Sequence, residues 1–186
     1  MKFFSFRLKS IIITAVIIVA VCVGVYFMAS QVSEAVSASE RLIPIYNVDK
    51  NTNEVAITFN CAVGGEDIGT ILSVLDKYDV KATFFMLGSW AENHHEEVTA
   101  IFNAGHELGN HSYSHNDMPS MSYDDIMQDI QKCNETVRSI TGTATTLFRA
   151  PSGSYDNKTI SAAENLGMKT VQWDVEVPAT VGNGCI

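Results

Sequence analysis

The sequence predicts an α/β fold: a mainly parallel sheet, open or closed into a barrel, preceded by one N-terminal transmembrane helix. Three observations predict it. Short apolar runs of strand length alternate with segments whose apolar residues recur at helical spacing. Glycines stand where several of the helical segments end. Residues with chemistry to offer gather just past the carboxyl ends of the predicted strands, where parallel α/β folds build their sites.

In chain order, Lys2, Arg7 and Lys9 precede an uncharged, mostly apolar run from Ile11 to Ala29. That run is close to the ~20 residues that cross a bilayer as a helix. It reads as an uncleaved signal anchor over residues 1–30, with cleavage in the run Met28-Ala29-Ser30-Gln31 as the main alternative. The basic residues place the amino terminus in the cytoplasm and the rest of the chain on the extracytoplasmic side, a single-pass membrane protein. Residues 31–53 read as a tether and an edge strand, Leu42 to Tyr46, since Pro44 suits an edge better than a central strand. The remaining residues, 54–186, suffice for one domain with one core.

Val55–Phe59 is a strand-length apolar run, and Asp67–Tyr78 carries Ile68, Ile71, Leu72 and Leu75 at helical spacing. Ala82–Leu87 is a second buried strand. Glu96–Asn103 is a helix stopped by Gly105, and His106–Asn110 is a third strand. Ser122 and Asp125 form a helix start for the stripe Ile126, Ile130, Cys133, Val137, Ile140, which Gly142 stops. Thr145–Phe148 is a fourth strand, Asn157–Leu166 a helix ended by Gly167, and Met168–Trp173 a fifth strand.

The net charge of −9 argues against nucleic acid as a partner, because phosphate binding needs clustered Lys and Arg. Cys22, Cys61, Cys133 and Cys185 show no CxxC spacing, so neither a disulfide framework nor a cysteine-rich zinc site is expected. The stretch Gly105-His106-Glu107-Leu108-Gly109-Asn110-His111-Ser112-Tyr113-Ser114-His115 is more informative. It runs from a strand into a turn with two histidines four residues apart, about one helical turn. Two neutral imidazoles on one side suit zinc or a similar divalent metal; the bland reading is a solvated polar loop. Trp90 reads equally as a buried ring or as a sugar-stacking one. His94 and His95 read as a solvated surface pair, and His106 as packing.

Five stretches in order resemble the polysaccharide deacetylases of the NodB-homology type, carbohydrate esterase family four. They are Val55-Ala56-Ile57-Thr58-Phe59-Asn60, Lys81-Ala82-Thr83-Phe84-Phe85, the histidine stretch, Phe148-Arg149-Ala150-Pro151-Ser152-Gly153-Ser154-Tyr155, and Gln172-Trp173-Asp174-Val175. The resemblance implies an irregular (β/α) barrel and hydrolysis of N-acetyl groups on N-acetylglucosamine units of peptidoglycan or a chitin-like polymer. It implies a metal held by an Asp and two His that polarises the acetamide and activates water, a second Asp as base, and a late His as acid. It assigns His111 and His115 to the metal and Arg149 to orienting the base. Pro151, Gly153 and Tyr155 fall on the wall of the sugar groove, with a backbone N–H near Tyr155 facing the developing oxyanion. Trp173 and Asp174 frame the far side.

The chain departs from the family at the first motif, where Thr-Phe-Asp-Asp is replaced by Thr58-Phe59-Asn60-Cys61. Asn60 stands in place of the base, and an amide takes up no proton near neutral pH. Cys61 stands in place of the metal Asp, either as a thiolate ligand or as a small buried residue. Asp67 is the preferred third ligand, with a plain helix-start carboxylate as the alternative. The family's last two strands and late His have no counterpart before Ile186, and no histidine follows His115, so the domain is expected to be truncated at its carboxyl end.

Overall fold

A computed structural model describes residues 11–26 and 41–176. The chain divides into two units, Met1–Arg41 and Leu42–Ile186. In the first, residues 11–26 form helix α1, whose large apolar side chains are exposed. Among the described residues no helix is long and apolar enough to cross a membrane, so the expected transmembrane helix lacks support there. The rest of that run, the tether and the Gly-rich ending from Val177 onward lie outside the described residues.

In the second unit five strands form one sheet in the order β1-β2-β3-β4-β5. They are β1 (Thr58–Cys61), β2 (Thr83–Met86), β3 (Glu107–Asn110), β4 (Leu147–Phe148) and β5 (Lys169–Thr170), and every pairing is parallel. Each strand lies beside its sequence neighbour, as in a (β/α) barrel; a doubly wound sheet reverses its order part-way. The connections carry α2 (Ile68–Lys77), α3 (Gly88–Ala91), α4 (His95–Asn103), α5 (Tyr123–Thr141) and α6 (Asn157–Asn165).

The strands alternate their faces. Phe84 and Met86 of β2 join Val98 and Ile101 of α4, Leu75 of α2 and Cys133 of α5 in one apolar cluster. A second cluster joins Ile126 and Ile130 of α5 to Phe148, Ala162, Ala163 and Met168. Fully burying each such side chain contributes roughly 1.5–3 kcal/mol. The intervening Phe85 faces the other way. In register, Asn60, Phe85 and Gly109 form one row across β1, β2 and β3. Gly109 is required there: a Cβ would lie 2.4 Å from the Phe85 ring.

The helices start and stop as their sequences direct. The Ser122 side chain accepts the Asp125 N–H, and Gly142 ends α5 in the left-handed region at φ 75°. Asp156 and Thr159 close a reciprocal capping box on α6, which the sequence reading did not specify. Three features differ from expectation. β1 begins at Thr58, not Val55, because Val55 and Ile57 are exposed and lack a full strand partner. Asn60 and Cys61 therefore lie within the strand, not beyond it. α3 occupies Gly88–Ala91, where the sequence reading placed no element. The Leu42–Tyr46 strand reduces to one parallel bridge, Ile45 with Val171.

Candidate active site

The row holding Asn60 and Phe85 leads to Arg149, which follows β4. Its guanidinium carbon lies 3.9 Å from the Phe85 ring centroid, and Arg149 is 2% exposed. Its Nη1 donates to Asn60 Oδ1 at 2.9 Å and its Nη2 to the Gln172 carbonyl at 3.1 Å. Its Nε has no hydrogen-bond partner among the described residues. Burial pulls the Arg149 pKa down to about 10, still charged at neutral pH. The buried cation thus meets an amide and a carbonyl where a carboxylate would neutralise it.

Just past the neighbouring strand β3, His111 is buried, and its Nδ1 donates to the Arg149 carbonyl at 2.9 Å. A carbonyl only accepts, so the proton sits on Nδ1 and the Nε2 lone pair is left for a ligand. Burial pulls the His111 pKa down to about 4, outweighing the Arg149 carbonyl bond that favours the charged ring. His115 is exposed, and its ring centroid lies 5.4 Å from that of His111, edge-on at 75°. The two histidines named from sequence are therefore brought together, and one is held as a neutral donor.

Three side chains hold the turn that carries them. Asn110 Oδ1 accepts the Ser112 N–H at 2.8 Å, Ser112 Oγ accepts the His115 N–H at 3.0 Å, and Asp129 Oδ2 accepts the Tyr113 N–H at 2.7 Å. They hold a backbone in which Ser112 and His115 take left-handed φ values of 72° and 58°. Sequence reasoning missed Asn110 and Asp129. The signal for Asp129 was present: a carboxylate three residues after Ile126, on the buried stripe of α5.

The expected third ligand is not delivered. Asp67 is exposed at the amino end of α2 and caps no N–H with its side chain. Among the described residues no group of three or more His, Cys, Asp or Glu comes together to hold a metal. Cys61 is fully buried in the core, as its small-residue reading has it, and disulfide-bonded, so it offers no thiolate as a ligand. Two imidazoles without a carboxylate do not fit the family's Asp-His-His set.

The other residues that the resemblance assigns to the site follow β4 and β5. Pro151 is buried at the start of a short 3₁₀ turn, Pro151–Gly153. Gly153, at φ 66°, lies under the Trp173 ring, which a Cβ would approach to 3.0 Å. Trp173 is half-buried, 5.5 Å from the Arg149 guanidinium carbon. The Tyr155 hydroxyl bonds the Tyr46 hydroxyl at 3.0 Å, and exposed Asp174 accepts from Asn47 Nδ2 at 3.4 Å. Trp90 is buried with its indole N–H on the Gly64 carbonyl, which removes it as a sugar-stacking residue. His94 stacks on Trp90 with centroids 4.5 Å apart and is not simply solvated. His106 accepts the Ala82 N–H in the core, as packing predicts. Burial pushes the Cys133 thiol up to about 12, which makes it inert.

The sequence model of the polysaccharide deacetylase family matches residues 47–171. The chain belongs to this family. Within it, the match is to the NodB-homology domain of carbohydrate esterase family four. An uncharacterized protein of Bacillus subtilis, YlxY, is 38% identical over 133 residues, 72% of this chain and 42% of that protein. A peptidoglycan-N-acetylglucosamine deacetylase of Bacillus cereus is 36% identical over 126 residues, 68% of this chain and 46% of its own. Among solved structures, a Bacillus anthracis pseudoenzyme of the carbohydrate esterase family shows 37% identity and a TM-score of 0.68, covering 70% of this chain and 47% of its own. A mutant of that protein with restored enzymatic activity gives the same TM-score at 36% identity, covering 70% and 48%. The chain thus spans about half the length of the relatives it matches.

Proposed function

We propose that this polysaccharide deacetylase domain engages acetylated cell-wall glycan, peptidoglycan or a chitin-like polymer of N-acetylglucosamine, with its hydrolysis of the N-acetyl group strongly reduced. Membership of the family and the peptidoglycan deacetylases among its relatives support the glycan. One observation carries the reduced chemistry: Asn60 Oδ1 accepts from Arg149 at the position of the base. An amide holds the arginine as a carboxylate would but removes no proton from water. The pseudoenzyme among the structural neighbours supports the same reading.

A divalent metal, zinc by its preference for imidazole, belongs in this reading on His111 and His115, held more weakly than by three protein ligands. The anchor belongs to it too: residues 11–29 tether the domain at the outer face of the membrane. Lys2, Arg7 and Lys9 and the exposed apolar side chains of α1 support this placement. The second reading, a deacetylase that turns over, is favoured by the intact histidine pair and Arg149.

Acetate release and binding on the same acetylated chitooligosaccharides and peptidoglycan fragments separate the two. Binding with release at the level of the blank is expected. Release that scales with protein and disappears in His111→Ala would establish the second reading.

A further inference from the structure

Tyr46 lies just ahead of the span matched by the family, which begins at residue 47, and the fold carries it to the site wall. The Ile45 N–H donates to the Thr170 carbonyl at 2.9 Å, and the Gln172 N–H donates to the Ile45 carbonyl at 2.8 Å. This parallel bridge continues the sheet beyond β5 and sets the residues that follow Ile45 beside those that follow Gln172. Tyr46 remains 42% exposed with its hydroxyl 3.0 Å from that of Tyr155. Asn47 reaches Asp174. A row of contacts joins Asn60 to Arg149, Arg149 to Trp173 and Trp173 to Gly153, and two residues after Gly153 the Tyr155 hydroxyl meets that of Tyr46.

We infer that Tyr46, with the Asn47–Asp174 pair beside it, forms a further sugar subsite at the outer end of this row, met by a more distant unit of the glycan. The inference rests on the proposed glycan reading and names the part of the ligand that Tyr46 meets. Its chemistry is that of a neutral polyhydroxyl ligand. Exposed aromatic rings offer faces to the C–H side of a pyranose, and the paired hydroxyls and amide–carboxylate pair offer both donors and acceptors.

The test is calorimetric titration of the full chain, in mild detergent, with di-N-acetylchitobiose and tetra-N-acetylchitotetraose. The wild type is expected to bind the tetramer about 3- to 10-fold more tightly than the dimer, the range of one aromatic contact. Tyr46→Ala is expected to bring that ratio to about 1 with the dimer Kd unchanged. Tyr46→Phe, which keeps the ring, is expected to lower the ratio by about half through loss of the hydroxyl pair. If Tyr46→Ala does not fold, Tyr46→Phe alone decides. A ratio unchanged in the folded variants overturns the inference and leaves the glycan reading standing. Equal loss for both ligands also overturns it, since a residue that only pins the Ile45 segment acts on both. A wild type that binds neither ligand overturns the glycan reading and this inference with it.

Discussion

The two halves of the site have fared differently. On the histidine side, His111 is buried with its proton fixed by the Arg149 carbonyl, and Asn110, Ser112 and Asp129 occupy the backbone N–H groups of the turn. On the β1 side, the frame is equally well built, with Asn60 in register with Phe85 and bonded to Arg149. Its chemistry is missing, however: an amide and a disulfide-bonded cysteine stand where two carboxylates are expected. The contrast teaches that packing and chemistry are separable. A residue can keep its hydrogen bonds and its place in the sheet while losing the proton traffic the site needs.

Restoring the carboxylate gives the largest expected effect. Asn60→Asp places a negative charge 2.9 Å from Arg149 Nη1, so the buried cation gains its counter-charge and the base is returned. Acetate release is expected to rise by about 10²-fold or more, the usual contribution of a general base. If release stays at the blank while glycan binding persists, the deficit lies with the missing third ligand, and the contrast between the two halves sharpens further.

Much of this contrast was legible before any coordinates. The motif order and strand–helix alternation put His111, His115, Arg149, Tyr155 and Trp173 past strand ends, and the structure brings His111, His115, Arg149 and Trp173 close together, because parallel strands end on the same side. Gly142 and Ser122 were legible because capping is local chemistry. What was not legible depends on contacts distant in sequence. The Asp129 bond to Tyr113 spans 16 positions and the Tyr46–Tyr155 bond spans 109. The start of β1 was misplaced because apolar alternation continues back to Val55, while pairing, which periodicity does not encode, begins at Thr58.

A smaller effect tests the histidine side through pH. His111 has a folded pKa of about 4 against an ordinary 6.5. As pH falls below about 6.5 the unfolded chain takes up a proton that the folded chain refuses, so stability declines from there and levels off below about 4. At 1.36 kcal/mol per pKa unit the loss is at most about 3 kcal/mol. Urea unfolding of the protein in EDTA between pH 7 and 4 should show this slope, and His111→Gln should flatten it. An unchanged slope in the variant would mean that His111 is not the buried neutral group of the site.

The smallest effect separates two aspartates, one chosen from the sequence and one overlooked. Asp129 is 9% exposed and accepts the N–H groups of Tyr113 and Ser114, so Asp129→Ala strips partners from the histidine turn. The expected loss is about 1–3 kcal/mol in urea unfolding, the penalty for donors left unsatisfied. Asp67 is exposed and caps nothing with its side chain. Asp67→Ala should change stability by less than about 0.5 kcal/mol and leave zinc titration curves superimposable on the wild type. A tenfold weaker zinc affinity in Asp67→Ala would restore it as a ligand and erase the difference between the halves, since the β1 side would then still supply a carboxylate. A silent Asp67 beside a costly Asp129 leaves the burden of order on the histidine turn alone.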